Sequence, residues 1–145
     1  MLAGKVAMFV YWFFDNLQIL SALKIISRDP EFLGKAGMTA WFFSLVLDLF
    51  RLIRDLTKTN DQINFYIDFG KKNPEKKEGF VDDLKKLRAQ KRTILLNLLK
   101  TCGDNLPSSK GSGLIDKAGI QGINDLTCGI GGCISAAIFV YQTYK

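Results

Sequence analysis

The chain has 145 residues, one domain's worth or a small bundle, and its hydrophobic fraction of 48% conceals an uneven distribution. With no histidine, His-based triads, His general bases and mixed Cys/His zinc sites are excluded, and the three cysteines read as small packing residues and not as a disulfide frame. The formal net charge of +6 is local: residues 71–92 hold nine basic residues against four acids, which suits an anionic membrane surface or an acidic partner better than a nucleic-acid groove.

The first helix is predicted over 6–27. It is apolar at nearly every position except Asp15, Asn16, Gln18 and Lys24. A carboxylate in mid-span costs about 3 kcal/mol, so the helix is half-inserted, packed within a bundle or lying at an interface. Phe9, Tyr11, Trp12, Phe13 and Phe14 favour the last two, because aromatic rings concentrate at headgroup depth. The run lacks a cleavage-type ending, so no secretory signal peptide is read there. Pro30 disfavours helical geometry at Asp29, and residues 31–37 read as a reversing connector.

The second helix is predicted over 38–58. Its first part is uncharged as far as Leu47 and contains Trp41, Phe42 and Phe43; its second carries Asp48, Arg51, Arg54, Asp55 and Lys58 at spacings that let side chains meet. Such a helix enters a bilayer at one end only, or is a soluble amphipathic helix with surface ion pairs. Residues 71–79 read as a charged, solvated loop, and Ile63, Phe65, Tyr66, Ile67 and Phe69 either extend the second helix or dock beside it.

A third helix is predicted over 81–102, with Asp82 and Asp83 in its first turn and Leu84, Leu87, Ile94, Leu95, Leu98, Leu99 and Cys102 on one face. Lys85, Lys86, Arg88, Lys91 and Arg92 lie elsewhere on it and are the candidate lipid-binding residues. This basic amphipathic helix lies on a membrane, binds another helix, or packs in a core with its basic face solvated. Residues 103–113 read as a turn.

The fourth helix is predicted over 114–144. From Leu126 to Tyr144 no side chain is charged, and these 19 residues would rise about 28 Å, close to a bilayer's hydrocarbon thickness. Gly129, Cys133 and Ala137 are spaced by four, as are Gly132, Ala136 and Val140, giving two small-residue stripes suited to helix packing or oligomer contact. Tyr141 and Tyr144 sit where an interfacial anchor belongs. The competing reading is a buried Gly-rich helix of a soluble domain.

Chemistry has little foothold. The carboxylates are scattered or paired with Lys and Arg, and Asp82 and Asp83 diverge on a helix, so no enzyme is read. The glycines of 129–132 follow no strand, which argues against a nucleotide fingerprint. Cys128 and Cys133 lack the other ligands of a metal site, and only Phe80 interrupts the basic block, so neither cofactor nor nucleic acid is expected.

Four motifs in order carry a resemblance. They are Tyr11-Trp12-Phe13-Phe14-Asp15-Asn16-Leu17, Trp41 to Leu47 leading to Leu52-Ile53-Arg54-Asp55-Leu56, Leu95 to Leu99 leading to Cys102-Gly103-Asp104, and the Gly-rich close with Tyr141-Gln142. Together they resemble the carboxy-terminal two-thirds of the peroxisomal biogenesis factor 11 family. The resemblance implies a peroxisomal membrane protein that elongates the organelle membrane, promotes fission with dynamin-type machinery and forms homo-oligomers; pore activity is the family's other proposed role. Family members carry a longer amino-terminal region with a remodelling helix, so the resemblance implies either a truncated or divergent form or a different remodelling helix, for which 81–102 is the candidate.

The expected architecture is therefore all-α: a four-helix integral or membrane-associated bundle in one domain. Three functions compete: a membrane-shaping protein, a metabolite channel lined by Asp15, Asn16 and Gln18, and a soluble helical adaptor.

Overall fold

A computed structural model describes residues 2–72, 77–119 and 123–144 of the chain, apart from the side chains of 77–79. The elements are α1 (Leu2–Ala22), α2 (Pro30–Lys72), α3 (Lys77–Gly111), the one-turn α4 (Leu114–Lys117) and α5 (Asp125–Thr143), with no strand among the described residues. The all-α expectation with four main helices holds. The helix ends differ from it at several places, each for a local reason.

α1 stops at Ala22, five residues before its predicted end. Lys24 takes a left-handed conformation (φ 59°), its N–H donates to the Ser21 carbonyl, and the Ile25 N–H donates back to the Leu20 carbonyl. This is the Schellman arrangement that satisfies a helix's last carbonyls. The Ser21 hydroxyl donates across the turn to the Arg28 carbonyl. Pro30 then begins α2 instead of preceding a connector: the Asp29 carboxylate accepts from the Glu31 N–H at 3.0 Å, an N-cap with proline at the first helical position.

α2 also runs past 58 to Lys72. Tyr66 and Phe69 both pack on Phe80 of α3, with ring centroids 5.7 and 5.1 Å apart, so the apolar set of 63–69 extends the helix. Lys71 and Lys72 are thus helical, as is the backbone of 77–79; the rest of the predicted loop lies outside the described residues.

α3 continues through Pro107 to Gly111, where a turn was expected. Proline inside a helix removes one backbone hydrogen bond and costs about 3 kcal/mol. Around it the Ser108, Ser109 and Ser112 hydroxyls donate to the carbonyls of Asn105, Leu106 and Ser109, and the Asn105 amide donates to the Thr101 carbonyl. What was read as one final helix is α4 and α5. Gly119 has φ 66°, and a capping box between Asn124 and Thr127 starts α5 afresh.

The helices pack serially and antiparallel: α1 on α2, α2 on α3, α3 on α5, with α4 against α3. At 1.5 Å per residue α1 and α5 are each about 30 Å long, whereas α2 and α3 reach about 65 and 50 Å. Cross-contacts set the register. The Ser44 hydroxyl donates to the Gly4 carbonyl near the start of α1, and the Gln142 amide donates to Asn97 near the end of α5. Beyond these levels α2 and α3 continue together as a two-helix hairpin, so the molecule is a four-helix slab of one bilayer's height with a hairpin projecting from one side.

Candidate functional site

The slab is apolar outside and small or polar inside. Among the described residues six hydrophobic side chains are buried (Leu33, Leu45, Leu52, Ile94, Ile115, Ile138) against eight Ser and Thr, and within the slab Ser108 is fully buried. Large apolar side chains point outward instead: Phe9 is 70% exposed, Trp12 55%, Phe50 68%, Phe139 55%. In water such a surface is a liability. In lipid it is the expected arrangement, because small residues let helices approach while the outer side chains meet acyl chains.

The interior contacts show how close that approach is. A Cβ added to Gly37 would stand 3.4 Å from Phe14 of α1, and one on Gly111 would stand 2.9 Å from Met38 of α2. Tyr11 and Trp41 stack across α1 and α2 at 5.5 Å with an interplanar angle of 26°. Between α3 and α5 the backbones themselves touch. A Cβ on Gly103 would lie 2.5 Å from the Gly131 carbonyl oxygen, and a Cβ on Gly131 would lie 2.7 Å from that of Gly103. The Gly103 carbonyl is the acceptor whose usual i+4 donor Pro107 lacks.

Polar contacts pin both ends of the α3–α5 interface. Gln142 meets Asn97 at 2.9 Å at one end, and the Lys110 ammonium meets the Asp125 carboxylate at 2.6 Å at the other. Among the described residues α2 and α5 are the two helices long and apolar enough to cross a membrane. They flank α3, whose half within the slab carries Asn97, Lys100, Asp104 and Asn105. A helix too polar to face lipid is thereby sheltered by its neighbours.

The family model described as peroxisomal biogenesis factor 11 (PEX11) matches residues 2–144. The chain belongs to the peroxisomal biogenesis factor 11 family. No curated protein and no solved structure matches it. PEX11 proteins are non-enzymatic residents of the peroxisomal membrane with a role in peroxisome biogenesis and proliferation. The soluble-adaptor reading gives way to that residence, and the apolar exterior of the slab fits it.

In this PEX11 chain the basic residues lie on the hairpin half of α3: Lys85, Lys86, Arg88 and Arg92 are exposed and Lys91 is half-buried. Lys85 and Lys86 pair with Asp82 and Asp83 at 3.3 and 3.8 Å, and the Arg92 guanidinium sits 5.8 Å from the Tyr141 ring centre. On α5, Gly129, Cys133, Ala136 and Ala137 are exposed and Gly132 is half-buried; a Cβ on Gly129 or Gly132 would meet nothing within 4 Å. The face packed on α3 is Gly131, Ser135, Ile138 and Gln142.

Asp15, Asn16 and Gln18 do not converge on a path. The Asn16 amide donates to its own helix at Trp12, and Gln18 packs against Gly34, whose Cβ would fall 2.8 Å from the amide nitrogen. Sequence reasoning missed the Gly103–Gly131 contact and the Asn97–Gln142 pair. Gln142 was the available signal, since a lone amide in an uncharged helix calls for an interhelical partner.

Proposed function

We propose that this chain shapes and elongates the peroxisomal membrane, promoting proliferation and fission through contact with anionic lipid and self-association. The observation that carries the reading is the slab with its apolar exterior beside a cationic hairpin on one side only. The slab occupies the hydrocarbon while Lys85, Lys86, Arg88, Lys91 and Arg92 draw headgroups on that side, at about 1 kcal/mol per basic residue near an anionic surface. Each copy thereby loads the two leaflets unequally. Laterally associated copies add that asymmetry into curvature, and the resulting narrow tubule is the form on which a dynamin-type machine acts. Reconstitution of the full chain into vesicles containing phosphatidylserine is expected to draw out tubules, and neutralising all five basic residues to abolish them. Spherical vesicles at high protein density would overturn the reading.

A second reading, a channel for small metabolites, has one observation in its favour. A cleft of about 400 Å³ between α1, α2 and α3 is lined by Asp48, Arg51, Asn97, Lys100, Thr101 and Asp104, polar groups at slab depth. Solute flux through reconstituted vesicles tests it, and leakage equal to protein-free vesicles removes it.

A further inference from the structure

A cleft of about 580 Å³ opens between α3 and the last turn of α5. Arg88 and Arg92 stand on its rim one helical turn apart, so their guanidiniums leave the same side of α3. Asn97 and Gln142 form its polar end, joined by one hydrogen bond in which Asn97 accepts, so the Asn97 amide N–H groups are left over as donors. Leu96 and the Tyr141 ring supply apolar wall. No carboxylate lines it. Among the described residues neither arginine is in an ion pair, whereas Lys85 and Lys86, half a turn to a turn away, are each matched to an aspartate on their own helix.

On this face Lys85 and Lys86 are neutralised, Lys91 does not line the cleft, and Arg88 and Arg92 converge on it. We propose that this cleft binds a phosphate ester, with Arg88 and Arg92 taking the phosphate oxygens and Asn97 donating from the closed end. Guanidinium suits this task because its planar fork engages two phosphate oxygens at once. The same phosphate chemistry could arrive on a lipid headgroup or free in solution. Position favours the headgroup: Tyr141 ends the apolar helix α5, so the cleft opens at the depth where lipid phosphates lie, and Leu96 offers a surface to the glycerol and first methylenes. The Arg92 guanidinium is held toward the cleft by its place over the Tyr141 ring.

The proposal deepens the membrane-shaping reading and rests on its placement of α5 in lipid. Purified full-length chain in an uncharged detergent, offered short-chain phosphatidic acid or phosphatidylcholine, is to be examined by native mass spectrometry for retained lipid. Wild type is expected to retain phosphatidic acid preferentially. Arg88→Gln with Arg92→Gln should lower retention about tenfold or more, and Asn97→Leu, which changes no charge, should also lower it. Lys71→Gln with Lys72→Gln removes the same charge from the hairpin outside the cleft and should lower it less than twofold. Equal losses from the two double variants, or none from the arginine pair with helicity by circular dichroism intact, would overturn the cleft. Competition by millimolar inorganic phosphate with no lipid retained would support the site while assigning its phosphate to solution. Failure of the membrane-shaping reading looks different: vesicles stay spherical although the wild-type chain still retains the lipid.

Discussion

Gly131 and Gly132 are neighbours with opposite roles, and the contrast gives the sharpest prediction at the level of single residues. A methyl group on Gly131 would collide with a backbone carbonyl on α3 and with Leu106 at 2.8 Å, while one on Gly132 meets nothing within 4 Å. The backbone oxygen cannot rotate away as a side chain can, so the helices must separate. Gly131→Ala is therefore expected to cost about 1–3 kcal/mol, the usual range for overpacking. Gly132→Ala should be neutral or stabilising by up to about 1 kcal/mol, since alanine is the better helix former. Denaturant titration of both variants in detergent micelles, followed by circular dichroism, checks the pair. Equal stability would mean that α3 and α5 do not meet at the glycines.

Among the helices, the small-residue stripes of α5 pose the next question. Gly129, Cys133 and Ala137, and beside them Gly132 and Ala136, lie outside the contact with α3 and are open to another copy of the chain. If copies meet there, Gly132→Leu should lower cross-linking of neighbouring chains in the membrane several-fold while the monomer's unfolding midpoint changes little, because a Cβ at this position meets no intrachain atom within 4 Å. Unchanged cross-linking would assign the stripe to lipid. The stripes were legible because spacing by four is visible in the residues; that neither of them faces α3 was not, since Gly131 and Gly132 differ only in what lies across from them. The same limit governed the helix ends. The apolar runs of α2 and α5 announced themselves, but Pro30 reads equally as a stop or as a first helical position until Asp29 is seen capping α2. Pro107 looked like a turn because the hydroxyl bonds of Ser108, Ser109 and Ser112, and the shelter of α2 and α5, are tertiary facts. The basic residues of α3 were legible as a set; that Lys85 and Lys86 are ion-paired while Arg88 and Arg92 line a cleft required coordinates.

Taken whole, the molecule is two bodies of different chemistry sharing two helices. The slab exposes Phe9, Phe13, Phe43, Ile130, Ile134 and Phe139, which water would not tolerate as a continuous surface, and the hairpin carries ion pairs such as Asp68–Lys71 at 3.6 Å, more than two-thirds exposed on both sides. Such a pair contributes little to stability, so the hairpin holds together through Tyr66, Phe69 and Phe80 and is the weaker unit. An unspecific protease added to sealed, uniformly oriented vesicles should therefore cut in the hairpin from one side only. Two protected fragments are expected, one spanning α1 with the first half of α2 and the other the second half of α3 with α5, each close to the membrane-embedded length that its register predicts. Because Gly103 and Gly131 lie in the second fragment together, it should retain its helicity after the hairpin is removed. Digestion of α5, or the same cuts from both sides of the vesicle, would show that the slab is not the part that lipid covers.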